Sequence, residues 1–350
     1  VHFGGRTLAR GRPCFSAAEV GINHNGDLDL ALEMISAAAD AGADAVKFQN
    51  YRTEDFIVDR SLTHEYVSRG ETIVESQYDM FKRYEMPSEW LGPLKRRCDE
   101  DGVVFFSTPT SRQGIDDLLS VGTQLIKNGS DYLGHLPLIS DLARSGVPTV
   151  LSTGMAEKDE IDAAVAAYHQ AGGQQLVLLH CTSVYPTPIE EASLSRMLAL
   201  RERYQCPVGF SDHTEGWQAS SLAVAMGAVF VEKHFTTDRT LPGPDHRFSS
   251  TPAEFRTLVD NIRFVERVMG RPTLVSGDCE QSSRHLFRLS CRASRRIPAG
   301  TVLTAEDVSI SRPGDGIEPA RIDEVIGRIL VRTLEAGDAI RTDDLLETQA

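Results

Sequence analysis

The chain is short of positive charge, of paired cysteines and of long apolar runs, and each shortage excludes something. Lysine and arginine number 36 against 50 aspartates and glutamates, a formal charge of −14. A surface of that sign repels polyanions, so neither nucleic acid nor an anionic membrane is expected as a partner. It also sets a condition, since an anionic substrate would need cations gathered locally. The six cysteines, Cys14, Cys98, Cys181, Cys206, Cys279 and Cys291, form no Cys-x-x-Cys pair and scatter through apolar segments. That usage argues against a disulfide framework and fits a reduced, cytoplasmic protein. No apolar run reaches membrane-spanning length, and no signal peptide is expected ahead of the fold.

What is present is an ordinary globular composition, 41% hydrophobic and 25% charged, over 350 residues. That length exceeds a single core and suggests one large domain plus a small one. From Cys14 to about Gly270 a short apolar run, a turn and an amphipathic stretch recur. The strands are expected at 15–22, 44–50, 103–107, 123–127, 147–152, 175–181, 206–211 and 228–234. Helices are expected between them, including 27–41, 88–101, 132–145, 157–170, 190–203, 214–226 and 251–268, with glycines such as Gly42, Gly102 and Gly146 closing several of them. Eight such alternations predict a (βα)8 TIM barrel over 1–270. A doubly wound sheet is the alternative, but no Gly-x-Gly-x-x-Gly follows the first strand. Residues 51–86 interrupt the rhythm with a polar insertion, which on a barrel belongs to the active-site face.

After Gly270 the texture changes. Residues 271–284 read as a polar linker. The segment 285–350 holds a weak internal repeat, in which Ile297-Pro-Ala-Gly-Thr-Val-Leu-Thr-Ala-Glu-Asp-Val308 resembles Leu334-Glu-Ala-Gly-Asp-Ala-Ile-Arg-Thr-Asp-Asp-Leu345. Gly300 aligns with Gly337 and Asp307 with Asp344, which predicts a small, pseudo-symmetric, loop-rich domain.

Strand alternation then places polar residues where a barrel should be dry. In 43–50, Val46 and Phe48 suit the helix layer, so Lys47 and Gln49 point to the axis. In the last strand Val229 and Val231 face outward and Glu232 and His234 inward. Glu19 shares a face with Ala17, Lys127 with Leu125, and Ser211 and His213 with Gly209. A lysine or glutamate aimed into a low-dielectric interior is costly unless it meets an opposite charge or a ligand. An internal ion-pair network explains any one of these residues. Five strands doing so together, near their carboxyl ends, point to a functional site. His213 and His234, from adjacent strands, could converge on one divalent ion with coordination positions left open.

The strings around them carry a resemblance. Gly209-Phe-Ser-Asp-His-Thr214, Val231-Glu-Lys-His-Phe-Thr236 and Gly243-Pro-Asp-His246 resemble the sialic acid synthase family. So do Ala18-Glu-Val-Gly-Ile-Asn-His-Asn-Gly26, Val46-Lys-Phe-Gln49, Phe106-Ser-Thr-Pro109, Lys127-Asn-Gly-Ser130, Leu151-Ser-Thr-Gly154 and His180-Cys-Thr-Ser-Val-Tyr-Pro-Thr-Pro188. In the tail, Arg312-Pro-Gly-Asp-Gly-Ile317 looks like the antifreeze-like (SAF, β-clip) domain that ends these synthases.

The resemblance implies an enzyme that condenses phosphoenolpyruvate with an N-acylated amino sugar such as N-acetylmannosamine, giving a nine-carbon sugar acid and phosphate. By the same resemblance phosphoenolpyruvate would be held by Lys47, Thr108, Lys127, Ser130, Ser152, Ser183 and Ser211. The sugar would meet Glu19, Gln49, Tyr185 and Asp245, with Glu19 holding it or moving a proton. His213 and His234 would hold a divalent metal, usually manganese, with magnesium or cobalt as alternatives. Arg312 would reach the N-acyl group from the partner of a domain-swapped homodimer. Asn128, Asp131 and Ser183 depart from the family's common residues, which leaves the acceptor open between N-acetylmannosamine and a diacetamido-trideoxyhexose that would give legionaminate or pseudaminate. A phosphorylated acceptor would need further cations, for which Arg52, Arg60 and Arg69 are available. A metal-dependent aldolase or lyase, and a non-catalytic binding module, are the competing classes.

Overall fold

The computed structural model describes residues 1–346 and divides into two compact units, the first Val1–Gly270 and the second beginning at Arg271. Eight parallel strands close the first unit into a barrel. They are β1 (Phe15–Gly21), β2 (Ala45–Asn50), β3 (Val104–Pro109), β4 (Ile126–Asn128), β5 (Thr149–Ser152), β6 (Leu176–His180), β7 (Val208–Asp212) and β8 (Phe230–His234). Each is followed by a helix: α1 (Leu28–Asp40), α2 (Leu91–Glu100), α3 (Arg112–Ser120), α4 (Leu136–Arg144), α5 (Lys158–Gln170), α6 (Arg196–Tyr204), α7 (Gln218–Ala225) and α8 (Pro252–Met269). The start signals are local. Asp27 accepts from two backbone amides at the head of α1, and reciprocal capping boxes join Glu157 to Glu160 and Thr251 to Glu254.

One helix, α3, has no counterpart among the expected segments. Its cap is Ser111, which accepts from Gly114. Gly114 weakens the helical signal, but a Cβ there would come within 3.1 Å of both Asn50 and Pro109. Close approach of helix to barrel requires the glycine.

The core has two layers. Val46, Phe48, Val231 and Phe210 pack outward against the helices. Phe15, Ala17, Ala45, Phe106, Leu125, Val150, Val177, Leu179 and Phe230 fill the barrel itself. Val229 belongs to this inner set, contrary to the outward placement expected for it. It precedes β8, so the alternation of the strand does not govern its direction.

On six of the strands the interior turns polar two residues beyond a plug residue: Ala17 leads to Glu19, Ala45 to Lys47, Phe106 to Thr108, Leu125 to Lys127, Val150 to Ser152 and Phe230 to Glu232. The period of 2 in the strands thus sets a polar layer directly on an apolar floor.

The 51–86 insertion is ordered. A short helix, Thr53–Phe56, precedes a β-hairpin, Thr63–Ser68 with Glu71–Ser76, and a helix, Gln77–Tyr84. Arg69 and Gly70 at the hairpin tip both have positive φ, 53° and 81°, the two-residue turn that matches strand twist.

In the second unit the internal repeat is structural. Gly300 and Gly337 both turn with positive φ, Asp307 and Asp344 both accept from the backbone three residues earlier, and Ile297 bridges Leu334 across the two copies. The 271–284 stretch contains a turn at Asp278–Glu280 and the start of a helix, Gln281–Phe287. Among the described residues no helix is long and apolar enough to cross a membrane, and all six cysteines are free.

Candidate active site

A cavity of about 750 Å³ opens at the carboxyl ends of the barrel strands, above the polar layer. Every candidate site residue except Arg312 lines it. Arg312 is an exposed residue of the second unit, with its guanidinium 5.4 Å from the ring centre of Phe287.

Two buried ion pairs form the floor. Lys47 Nζ lies 2.8 Å from Glu19 Oε2 and donates to Thr108 Oγ1 at 3.2 Å, while Gln49 donates to Glu19 Oε1 at 2.7 Å. Strand register sets this up, because Glu19 is opposite Lys47 and Gln49 opposite Thr108. A bulge after Glu19 turns the chain at Gly21. On the other side Lys127 Nζ donates to Glu232 Oε1, which also accepts from Ser211 at 3.1 Å. The two readings of these charges are therefore not exclusive, because the ion-pair network itself lines the cavity.

The carboxylates differ in their electrostatics. Burial pushes Glu19 above the usual carboxylate range, and Lys47 only partly opposes it. Burial acts on Glu232 the same way, but Lys127 and Lys47 together outweigh it and hold it below that range. Lys127 loses to burial but gains more from Glu232 and Glu19, so it stays cationic. The two carboxylates are thus shifted in opposite directions by their surroundings.

Hydroxyls gather on the β4–β6 side. Ser130 Oγ accepts from the amide of Gly154 at 3.0 Å and lies 3.1 Å from Cys181 Sγ. A Cβ on Gly154 would be 2.8 Å from Ser130 Oγ and closer still to Ser183 Oγ, so the glycine brings these groups together. Ser152 Oγ is buried with no partner.

The imidazoles form a third cluster. The rings of His213 and His234 are 5.6 Å apart, with Tyr185 against both at 4.2 and 5.7 Å. His213 Nδ1 is 2.7 Å from the carbonyl of Thr182, which leaves Nε2 as the unprotonated nitrogen. Burial pushes His213 down to about 4 and His234 well below the usual range, so both are neutral. His234 Nδ1 is buried without a hydrogen-bond partner, 3.8 Å from Asp245. Burial and the charge of Glu19 raise Asp245 to about 7. Two neutral imidazoles with an orphaned nitrogen fit a divalent ion. Among the described residues no third histidine, cysteine or carboxylate completes a ligand set, so the remaining positions would fall to substrate and water.

Sequence reasoning left the role of Glu232 open and named none of Ile22, Phe56, Met80, Phe81, Tyr132 and Met155, which also line the cavity. Several come from the insertion, where the Arg-Gly turn and the aromatic spacing were the only signals.

A closed parallel barrel whose polar residues converge at the carboxyl ends of its strands is an enzyme of the TIM-barrel class, carrying a small second domain. The comparisons specify it further. The NeuB family profile matches residues 34–273 and the SAF domain profile residues 290–346. The chain belongs to the NeuB family, the sialic acid synthases, and ends in a SAF domain. It is 38% identical to the N,N'-diacetyllegionaminic acid synthase of Legionella pneumophila, over 93% of each chain. It is 33% identical to human N-acetylneuraminate-9-phosphate synthase, over 96% of this chain and 94% of that one. The crystal structure of N-acetylneuraminic acid synthetase from Leptospira borgpetersenii, in complex with citrate, aligns with a TM-score of 0.74 and 34% identity over 81% of this chain and 94% of that one.

Proposed function

We propose that the protein, acting in the cytoplasm, condenses phosphoenolpyruvate with an N-acylated amino sugar and water, giving a nine-carbon 2-keto sugar acid and phosphate. The observation that carries this reading is the convergence of Lys47, Lys127, the small hydroxyls and two neutral imidazoles on one cavity of a NeuB-family barrel.

Lys47 and Lys127 would bind the phosphate and carboxylate of phosphoenolpyruvate, with Thr108, Ser130, Ser152, Ser183 and Ser211 replacing part of its hydration shell. Both lysines already face carboxylates, so an incoming anion favours a proton on Glu19, the carboxylate that burial has raised. Glu19 then holds a proton at the acceptor's carbonyl oxygen. The methylene carbon of phosphoenolpyruvate attacks the aldehyde carbon, and the new alkoxide takes that proton. Water adds to the central carbon and gives up a proton, which restores the one Glu19 lost. The tetrahedral intermediate then releases phosphate by carbon–oxygen cleavage, as its new hydroxyl becomes the ketone and passes its proton to the departing phosphate. His213 and His234 would hold manganese or a similar divalent ion, which when bound polarises the acceptor carbonyl. Gln49 and Tyr185 would orient the sugar, and Asp245 would act beside His234.

The test is phosphate release on incubation with phosphoenolpyruvate, manganese and a panel of N-acylated hexosamines. Sugar-dependent phosphate with a nine-carbon product is expected. Pyruvate formed or consumed without phosphate would instead indicate an aldolase, a reading the two cavity lysines disfavour because an aldolase needs no phosphate cradle.

In the same reading Arg312 completes the partner's site in a domain-swapped homodimer. Arg312→Ala and His234→Ala chains, each weak alone, are then expected to regain turnover after subunit exchange, because one of the two mixed sites is fully native. No recovery in an exchanged mixture would place Arg312 outside the site.

A further inference from the structure

We infer that Asp212 and Lys233, neither of which lines the cavity, are positioning residues that fix how far apart His213 and His234 stand. The inference rests on the synthase reading, in which those imidazoles hold a divalent ion. It adds to that reading a pair of residues on the opposite face of the same two strands.

The strands alone do not set the distance between the imidazoles. His234 is the last residue of β8 and lies within the barrel ladder, opposite Glu19 of β1. His213 stands one residue beyond β7, whose register with β8 ends at Asp212 opposite Lys233. No ladder partner on β8 therefore holds His213 against His234. The residue just before each imidazole does so instead. Strand alternation sends Ser211, His213, Glu232 and His234 to the cavity, and Asp212 and Lys233 to the helix side. There Lys233 Nζ lies 3.1 Å from Asp212 Oδ2, with 4% and 0% of their side-chain surfaces exposed.

This pair grips the backbone that carries His213. Lys233 donates to the carbonyl of Thr214 at 2.6 Å, so a side chain of β8 holds the residue that follows the imidazole. Asp212 Oδ1 accepts from the amide of Thr214 at 2.8 Å and from its hydroxyl at 2.7 Å. Asp212 Oδ2 accepts from Ser220 Oγ on α7 at 2.6 Å. The amide of Thr187 donates to the carbonyl of His213 at 2.8 Å. Residues 212–214 are thus held from β8, from α7 and from the segment before α6, by groups that are all buried. Stability alone does not account for the pair, because apolar residues of similar volume often serve a buried interface as well as an ion pair or better. Directed hydrogen bonds supply a single geometry instead. A site of two imidazoles depends on that geometry, since among the described residues no third ligand shares the task.

The test compares wild type with the Asp212→Asn/Lys233→Met double variant, which removes both charges together at nearly constant volume. Calorimetry is expected to show manganese affinity lowered about 10- to 100-fold, with the urea midpoint and the affinity for phosphoenolpyruvate close to wild type. Turnover should fall at limiting manganese and recover as the ion is raised, which a general packing defect would not allow. Unchanged manganese affinity in the double variant, or a parallel loss of affinity for phosphoenolpyruvate, overturns this inference and leaves the synthase reading intact. A wild-type protein that itself binds no manganese overturns the metal part of that reading and the inference with it. Should the double variant not fold, Ser220→Ala decides, since it removes one hydrogen bond to Asp212 and no charge. It is expected to weaken manganese binding about 3-fold, and an unchanged affinity there overturns the inference.

Discussion

Lys127→Met is expected to abolish turnover and to destabilise the barrel by about 3–5 kcal/mol, the cost of leaving a buried charge without its partner. Lys127 and Glu232 are both buried and in direct contact, and the one other group donating to Glu232 is a neutral hydroxyl, Ser211. The double variant with Glu232→Gln removes the orphaned charge, so it is expected to regain most of the stability and to remain inactive. This separates the pair's structural part from its proposed part in holding phosphoenolpyruvate.

The pH dependence has a definite sign. Glu232 is held below the usual carboxylate range, so its contribution is present above its unfolded value and fades as pH falls toward its folded one. Lys127 is raised, so its contribution is present below its unfolded value and lost as pH rises through its folded one. Both are in force at neutral pH. In Lys127→Met the unpaired Glu232 rises instead and gains a proton more readily, so the stability gap from wild type narrows as pH is lowered. Urea denaturation at several pH values, alongside phosphate release, reads both effects. A single variant as stable as wild type, or an active double variant, contradicts the account.

The same charges mark what was legible in the sequence. Strand parity was sufficient to aim Glu19, Lys47, Lys127, Glu232 and His234 inward, because a period of 2 needs only a few residues to declare itself. It could not say that each lysine meets a carboxylate, because pairing depends on register between strands far apart in the chain, Lys127 with Glu232 above all. The expectation of free local cations for an anionic substrate therefore becomes one of cations already compensated, which bind an anion with a change of protonation.

The insertion was illegible for a related reason. Phe81 reaches the cavity by packing on Tyr51 and Phe56 across some thirty residues, and no local pattern reports that contact. Helix α3 was hidden because its glycine answers to the packing of Asn50 and Pro109. The second domain was the reverse case. Two copies of one turn, each with a positive-φ glycine and an aspartate cap, carry their geometry in the sequence itself.

The second large effect is expected at His234. His234→Ala should remove metal-dependent turnover, by about 1000-fold or more, while the protein stays folded and still binds phosphoenolpyruvate. The stability expectation follows from the site: His234 is buried, neutral and has Nδ1 unpartnered, so its removal relieves an unsatisfied polar atom as it opens a small void. The functional expectation follows from geometry, because only His213 would remain of the two imidazoles. His213 and His234 are both depressed by burial, so protons should compete poorly with the ion. Manganese affinity of an Asp245→Asn variant, in which the neighbouring carboxyl raised to about 7 no longer titrates, followed by calorimetry, should then stay nearly flat from pH 8 to pH 6, where an exposed histidine with a value of about 6.5 would already be losing its ion. Retained turnover in His234→Ala, or a manganese affinity that falls steeply across that interval, would remove the pair from the metal site and leave His234 a packing residue beside Tyr185.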